Sequence, residues 1–440
     1  MLRAAGPGCR IVWSTVKPTT WLSACVIAGS LAGGPVRAQP AASAQGPQAA
    51  APTSSGPAAG SITLGAALDA AWQRAVAARE SEGQRRRADA DRAAAGAYWA
   101  APPSLELSHR DDRLHSSAGK RETGIGVAVA LWLPGQRAAR AGTAEAAAAQ
   151  AGAAGQVARL RLAGELREAA WQLAAGQAEA NAADKQAQAL KQLADDVERR
   201  VRAGDLARAD ALAAQAEYLA ATALQSDMRQ RLRAARARWA LLTGLTAAPD
   251  VTAAPALDEA AAPAAPHPEL QLARQSTELA RQRVDLMRLS RREAPELTLG
   301  LRHDVPGRAE ASQGSLVVGL RLPLGTDDRN RPLQAAALAE LDVARTHEQR
   351  LRERLDSDIA AAREAQQSAQ EQLDAETARA RLLRERAALI DKSFRAGESA
   401  LPDLLRALAA AAQADGAVAR QTAALGLARA RLQQTLGLLP

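Results

Sequence analysis

The two halves of this 440-residue sequence match each other when one is shifted by 193 residues. The same shift leaves no gap over about 55 positions, and a repeat this long predicts two copies of one structural unit. The fold of one half therefore constrains the fold of the other. The matches include Val201-Arg202-Ala203-Gly204-Asp205 with Phe394-Arg395-Ala396-Gly397-Glu398, Leu190 with Leu383, Asp210 with Asp403, and Gly244-Leu245 with Gly437-Leu438.

Each half is predicted to run helix, strand, strand, long helix, turn and helix. Upstream of the ungapped match the shift slips by a few residues, yet Pro103-Ser104-Leu105 still corresponds to Pro295-Glu296-Leu297. We therefore predict a first repeat at residues 61–250, a linker at 251–266 and a second repeat at 267–440. Abundant alanine and an aromatic content of 2% favour extended helices over a compact globular core.

The predicted strands are amphipathic. They lie at residues 103–113 and 121–133 in the first repeat and within 295–323 in the second. Ten or eleven residues tilted near 45° span roughly the 25 Å apolar band of an outer-membrane barrel. Small hairpins on a soluble domain are the alternative interpretation. Apolar residues take every second position, which gives each strand one apolar face: Leu105, Leu107, Ile125, Val127, Val129, Leu131, Leu133, Leu297, Leu299, Leu301, Leu316, Val318, Leu320 and Leu322.

The helical segments are unusually long. Gln136–Ala203 contains no proline and predicts one helix of roughly 100 Å, with a counterpart from about Pro332 to Ala396. Such helices must pack side by side, and a coiled-coil rod is the alternative for the helices taken alone. Apolar residues spaced three and four apart predict the seams: Leu190, Leu193, Val197 and Val201 in the first half, and Leu351, Leu355 and Ile359 in the second.

Residues 1–38 have the pattern of an export signal, with basic residues, an apolar stretch and a small-residue site ending at Ala38. Lipid attachment at Cys25 is the alternative. Cleavage removes Cys9, Cys25 and four cations, which lowers the formal charge from +8 to about +4. Disulfides and thiol chemistry are therefore not expected in the mature chain. Residues 39–60 predict a disordered linker.

The mature sequence has no stretch of the roughly 20 apolar residues that a membrane-spanning helix needs, so any span must consist of strands. Four strands leave two open edges, and unpaired backbone groups are unstable in hydrocarbon. Other copies of the chain must then close the sheet. Three copies give twelve strands and room for an aqueous lumen, whereas two give about eight strands filled by side chains.

In this order the motifs resemble the TolC-type outer-membrane efflux family, from about residue 62 to residue 438. The resemblance implies a mainly helical fold with a membrane β-barrel portion, in which a homotrimer forms a 12-stranded β-barrel on a 12-helix α-barrel. It also implies a passive duct in the outer membrane of a Gram-negative bacterium, with its helical part in the periplasm. The implied partners are outer-membrane lipid, a periplasmic adaptor protein and an inner-membrane efflux pump. The motifs are Ile62-Thr63-Leu64-Gly65, Pro103-Ser104-Leu105, Arg202-Ala203-Gly204 and Arg395-Ala396-Gly397.

The resemblance places the repeated Arg-Ala-Gly turns at the tips of helix hairpins. Gly204 and Gly397 are expected to adopt positive φ there. Arg202 and Arg395 would dock the adaptor, or alternatively stabilise the ends of their helices.

Acidic residues follow each tip. Asp210 and Asp403 match positions that line a periplasmic constriction in the family, where three copies would form rings of carboxylates that attract cations. Simple helix N-terminal acids are the alternative.

Two segments, Leu133-Pro134-Gly135-Gln136-Arg137 and His267-Pro268-Glu269-Leu270, resemble the heavy-metal branch typified by cobalt-zinc-cadmium efflux channels. No metal site or cofactor is predicted, because the histidines lack the spacing of a ligand set. The cargo, heavy-metal cations or organic compounds, stays open. The histidines are His109, His115, His267, His303 and His347.

Other functional classes fit the sequence less well. An enzyme is not expected, because the mature chain lacks cysteine and its histidines and carboxylates are dispersed. Arginine-rich runs such as Arg85-Arg86-Arg87 fit an exposed helical face rather than nucleic-acid binding. A periplasmic adaptor or coiled-coil scaffold is the remaining alternative, since it would share the export signal and the long helices but not the repeat.

Overall fold

The computed structural model describes residues 62–112, 114, 118–251, 266–307 and 310–440. The predicted export signal at 1–38, the predicted linker at 39–60 and residues 252–265 of the second linker lie outside the described residues.

The described chain is mainly helical and contains one small antiparallel sheet. Its first half contains α1 (Leu64–Arg74), α2 (Val76–Ala95), β1 (Ala101–Asp111), β2 (Arg121–Ala130), α3 (Gln136–Ala203) and α4 (Arg208–Thr243). Its second half contains α5 (Pro268–Leu289), β3 (Glu296–Val305), β4 (Gln313–Arg321), α6 (Asp327–Arg395) and α7 (Leu401–Thr435).

The sheet has the order β1-β2-β3-β4, and all its neighbours are antiparallel. Leu105 lies opposite Val127, which in turn lies opposite Leu299. The register between β1 and β2 shifts between Ala101 and Ser104, where two prolines that lack N–H donors interrupt the ladder. The pairing leaves one long side of β1 and one of β4 without a partner strand among the described residues.

The strand ends differ from the sequence prediction. β1 begins at Ala101 rather than residue 103, because the N–H of Ala100 already donates to the carbonyl of Ala130. β2 ends at Ala130 rather than residue 133. The N–H of Leu131 still donates to the carbonyl of Pro295 at 2.7 Å, and the Trp132 indole donates to the carbonyl of Ala97. The positions of the strand ends therefore depend on which distant backbone groups are available as hydrogen-bond partners.

Two helix boundaries also differ. The first helix is broken at Ala75, whose extended backbone (φ −69°, ψ 136°) separates α1 from α2. This break lets α1 pack against both α3 and α4 while α2 follows α3 alone. α6 begins at Asp327 instead of Pro332, so the proline lies inside the helix, where its missing N–H leaves one carbonyl of the first turn without a helical donor.

The helices form two tiers that continue the order of the strands. In the tier near the sheet, the helices lie side by side in the order α2, α3, α5, α6. In the tier far from the sheet the order is α4, α3, α7, α6, because α3 and α6 are long enough to belong to both tiers. α2 leads into β1, α3 follows β2, α5 leads into β3 and α6 follows β4. One flank of the molecule is therefore made of β1, α2 and α4, and the other of β4 and α6.

Alanine dominates the contacts of α3, contributing ten of its eighteen buried residues. Small side chains let helix backbones approach closely, which suits a flat row of helices better than a thick core. Between α3 and α7 the Trp171 ring lies directly over Gly426, where there is no room for a Cβ atom. No helix in the described part of the chain combines the length and apolarity needed to cross a bilayer.

A buried arginine joins α3 to the C-terminal segment. Arg167 is 2% exposed and donates to Oε1 of Gln434 at 2.6 Å and to the carbonyl of Leu438 at 2.8 Å. Burial lowers the pKa of Arg167 to about 10, so the guanidinium stays charged at neutral pH. Gln434 also donates to the carbonyl of Leu160, which leaves this contact between α3 and α7 well specified.

Candidate functional site

The first candidate site is the apolar face of the sheet. Alternation along each strand places its apolar residues on this one face. Nine of them are between 46% and 72% exposed. They form rows that cross the strands, for example Leu107, Ile125, Leu301 and Leu316. A contiguous exposed apolar surface of this kind marks an interaction with lipid or protein. The exposed members are Leu105, Leu107, Ile125, Val127, Leu299, Leu301, Leu316, Val318 and Leu320.

The opposite face of the sheet is small and charged. Gly126 lies opposite Gly300, and a Cβ added to Gly300 would come within 2.8 Å of the carbonyl oxygen of Ile125. Towards the loops, Arg302 forms ion pairs with Glu122 at 3.0 Å and Asp304 at 2.9 Å. This face suits contact with water.

Three aromatic residues cluster beside the end of the sheet that adjoins the helices. Tyr98 and Trp99 are exposed just before β1, and Trp132 lies just after β2, 5.8 Å beneath the guanidinium of Arg140. Aromatic residues are rare in this chain, and Tyr and Trp favour the boundary between an apolar layer and water. The end of the sheet that adjoins the helices is therefore flanked by aromatic residues.

The second candidate site is the pair of hairpin tips at the far end of the helices. Gly204 has φ 87° and Gly397 has φ 82°, and a Cβ at either position would meet no atom within 4 Å. Glycine is thus required at both tips by the backbone angle rather than by crowding.

Both tips close with the same hydrogen bonds. In the first, the N–H of Asp205 donates to the carbonyl of Arg200 and the N–H of Gly204 to that of Val201. In the second, Glu398 and Gly397 donate in the same way to Ser393 and Phe394. These are Schellman motifs, which satisfy the last carbonyls of a helix.

The two tip arginines differ in their surroundings. Arg395 is exposed and paired with Asp391, four residues earlier, at 2.7 Å. Arg202 is exposed and forms no ion pair with any residue that the structure describes. The geometry thus leaves one guanidinium group open to a partner.

The two predicted gate acids occupy equivalent positions, each the third residue of its helix. The carboxylate of Asp210 accepts a hydrogen bond from the N–H of Ala207 at 3.2 Å and so caps α4. That of Asp403 binds the guanidinium of Arg406 at 2.6 Å. Within one chain both acids therefore have local structural roles.

Sequence reasoning missed the cluster that joins the tips. Phe394, the only phenylalanine of the chain, is 3% exposed and packs with Val197 of α3 and Leu404 of α7. The Arg200 guanidinium lies 5.2 Å from the centroid of the Phe394 ring. A lone phenylalanine where the repeat has Val201 was the available signal.

The histidines that the structure describes are not gathered into a cluster of possible metal ligands. No group of three or more histidine, cysteine, aspartate or glutamate residues with suitable geometry is present in the described ranges. His109 contacts the hydroxyl of Thr123 at 3.0 Å, and Nδ1 of His267 accepts from the N–H of Glu269 at the start of α5. Burial lowers the pKa of His267, only partly opposed by the carboxylate of Glu269. His115 lies outside the described residues.

Solved structures of outer-membrane proteins resemble this chain over most of its length. The outer membrane protein VceC of Vibrio cholerae superposes with a TM-score of 0.66 and 17% identity, covering 85% of this chain and 96% of that one. The Campylobacter jejuni outer membrane channel CmeC superposes with a TM-score of 0.67 and 13% identity, covering 86% of this chain and 88% of that one. The open state of the Neisseria gonorrhoeae outer membrane channel MtrE superposes with a TM-score of 0.64 and 18% identity, covering 85% of this chain and 89% of that one.

The chain has the fold of these outer-membrane channels. The neighbours are channel proteins rather than enzymes. No protein-family model and no curated protein sequence matches the chain. At identities below one fifth, the likeness defines the fold, and the exposed sheet and the tips must carry the functional argument.

Proposed function

We propose that this chain is the outer-membrane channel subunit of a tripartite efflux system and a member of the TolC-type family. The observation that carries the proposal is the four-stranded sheet with an exposed apolar face, attached to helices of roughly 100 Å. In water such a face is unfavourable, whereas in a bilayer it meets hydrocarbon. The fold shared with outer-membrane channels supports the same conclusion.

Closure of the sheet requires other copies, because open strand edges are not tolerated in hydrocarbon. Three copies would form a 12-stranded β-barrel in the outer membrane and a 12-helix α-barrel in the periplasm. The apolar face would meet lipid, and the face with Gly126, Gly300 and Arg302 would line the lumen. Tyr98, Trp99 and Trp132 would lie at the periplasmic surface of the membrane.

The hairpin tips would face the inner membrane and dock a periplasmic adaptor that connects the channel to an inner-membrane pump. Arg202 and Gly204 of one tip, and Arg395 and Gly397 of the other, would form the docking surface. The unpaired guanidinium of Arg202 supports a docking role for the first tip.

The duct is passive in this proposal and carries heavy-metal cations or organic compounds. Deletion of the gene followed by growth in metals and in drugs distinguishes the two, since the cell becomes sensitive only to compounds that the duct exports.

Adjacent valines on β4 provide a matched test of the lipid-facing sheet. Val318 lies on the apolar face and Val317 on the opposite face, and both are exposed. Val318→Arg is expected to remove the protein from the outer-membrane fraction, because an arginine on the lipid face costs up to about 2–4 kcal/mol per chain. Val317→Arg is expected to remain there as a heat-sensitive trimer.

Equal behaviour of the two variants would contradict the assignment of the faces. A wild-type chain recovered as a soluble periplasmic monomer would instead favour a periplasmic adaptor or coiled-coil scaffold.

A further inference from the structure

The two outer helices of the tip tier, α4 and α6, each have one packed side and one open side. α4 packs on α3, and α6 packs on α7, in the order α4, α3, α7, α6. Their other sides face away from the row. Each open side carries two exposed leucines seven residues apart, namely Leu212 and Leu219 on α4 and Leu382 and Leu389 on α6.

The four leucines are between 57% and 65% exposed, although each sits on a helix whose inward side is well packed. A spacing of seven residues keeps side chains on one side of a helix, as in a coiled-coil seam. Exposed leucines in this pattern are costly in water unless another helix covers them.

The leucines point away from the packed sides. On α4, Leu212 and Leu219 lie two residues before Ala214 and Ala221, which are buried against α3. On α6, Leu382 and Leu389 lie two residues after the buried Ala380 and Ala387. Two residues correspond to a rotation of about 200°, so each pair of leucines lies on the outer flank of the row.

The two pairs also lie at matching distances from the tips. From the start of α4 at Arg208, Leu212 and Leu219 are about 6 Å and 16 Å along the helix. From the end of α6 at Arg395, Leu389 and Leu382 are about 9 Å and 20 Å. Since α4 runs away from the tip and α6 runs towards it, an antiparallel pair would place Leu212 beside Leu389 and Leu219 beside Leu382.

The occupant that fits these flanks is a second copy of the chain. The open edge of β1 lies on the flank of α2 and α4, and the open edge of β4 on the flank of α6. Pairing β1 with β4 of a neighbouring copy therefore also brings α4 beside α6 of that copy. Placing a second copy side by side with the first therefore pairs the open sheet edges and the leucine pairs at the same time.

We propose that Leu212 and Leu219 of one copy pack against Leu389 and Leu382 of the next, forming a leucine seam that closes the helical tube near its tips. The inference rests on the proposed channel function and identifies the residues of its subunit contact.

Disulfide cross-linking tests the seam directly, because the only cysteines of the chain are Cys9 and Cys25. A Leu212→Cys/Leu389→Cys chain is expressed with residues 1–38 replaced by an export leader that contains no cysteine. The protein is oxidised in membranes and separated on a non-reducing denaturing gel. The expected result is covalent dimers and trimers that dithiothreitol reverses. Leu219→Cys/Leu382→Cys is expected to behave alike.

The matched control is Leu212→Cys/Leu333→Cys. Leu333 is also an exposed leucine of α6 but lies 56 residues before Leu389, roughly 84 Å away along the helix. This variant is expected to stay monomeric on the same gel. Co-expression of single Leu212→Cys and Leu389→Cys chains with different tags should give only the mixed dimer.

The outcomes separate the seam from the channel proposal. A native trimer that forms no cross-link with either seam pair overturns the seam and leaves the channel function standing. A chain that is monomeric before denaturation overturns both. A cross-link within one chain, seen as a faster monomer band, overturns the seam by placing α4 and α6 of the same copy together.

Discussion

The guanidinium carbon of Arg200 lies 5.2 Å from the centroid of the Phe394 ring, which links the end of α3 to the end of α6. The ring is buried among residues of all four tip helices, including Ala194, Ala214 and Leu401. Arg200 also pairs with Asp196 at 3.3 Å, which holds the cation over the ring. The two hairpin tips of one chain therefore behave as one packed unit.

Phe394→Ala is expected to loosen this unit. Replacing a buried phenylalanine with alanine costs about 3–5 kcal/mol, and here the loss falls at the end of the molecule. Hydrogen exchange of amides around residues 194–214 and 390–408 should accelerate, while the sheet stays protected. Phe394→Leu should show a smaller change, because most of the buried area remains. Unchanged exchange in the alanine variant would show that the cluster does not join the hairpins.

Two glycines of α7 should respond oppositely to alanine. A Cβ at Gly426 would lie 2.0 Å from Cη2 of Trp171, whereas a Cβ at Gly416 would meet only Nη1 at the end of the Arg420 side chain, at 3.4 Å. Gly416→Ala should raise the unfolding temperature, since alanine favours a helix by about 1 kcal/mol over glycine. Gly426→Ala should lower it, because α3 and α7 must move apart. A thermal melt of each purified variant measures the difference, and equal shifts would contradict the close approach.

Acidification should weaken the start of α5. The pKa of His267 is lowered by burial, so the folded state favours the neutral imidazole that accepts from the N–H of Glu269. The resulting stability is present above the usual histidine pKa of about 6.5 and is lost as pH falls through the lowered value. His267→Asn keeps a capping acceptor without titration, so its unfolding temperature should fall less between pH 8 and pH 5. Identical pH profiles would exclude His267 as the titrating group.

Asp210 and Asp403 test the predicted gate. If three copies place these acids around a constriction, Asp210→Asn and Asp403→Asn should each reduce the cation preference of single channels in planar bilayers. Asparagine keeps an acceptor for the capping bond of Asp210, so folding should be preserved. Glu217→Gln, an exposed acid on α4, serves as the control. Unchanged conductance and selectivity in both aspartate variants would leave only the structural roles seen within one chain.

Local sequence determined much of this fold. The helix Gln136–Ala203 was predicted with its observed ends, because it lies between two glycines and contains no proline. The apolar face of the strands was predicted because side-chain direction in a strand depends only on position. The positive φ of Gly204 and Gly397 followed from their place at the ends of long helices.

The structure also shows detail that follows the same 193-residue shift. Arg236 donates to Gln177 at 2.7 Å between α3 and α4, and Arg429 donates to Gln370 at 3.2 Å between α6 and α7. The partners of each bond are 59 residues apart. Spacing along the sequence does not predict such a pair, because the bond depends on how far the two packed helices are shifted relative to each other along their axes.

The sequence by itself determined where helices run, where they turn and which strand faces are apolar, since these depend on neighbours along the chain. Only the tertiary structure decided the break at Ala75, the order of the strands, the burial of Arg167 and Phe394, and the different partners of Asp210 and Asp403. Those features depend on which distant residues meet. The repeated tips, which close with the same backbone hydrogen bonds, thus acquire unequal surroundings once the two halves pack against each other.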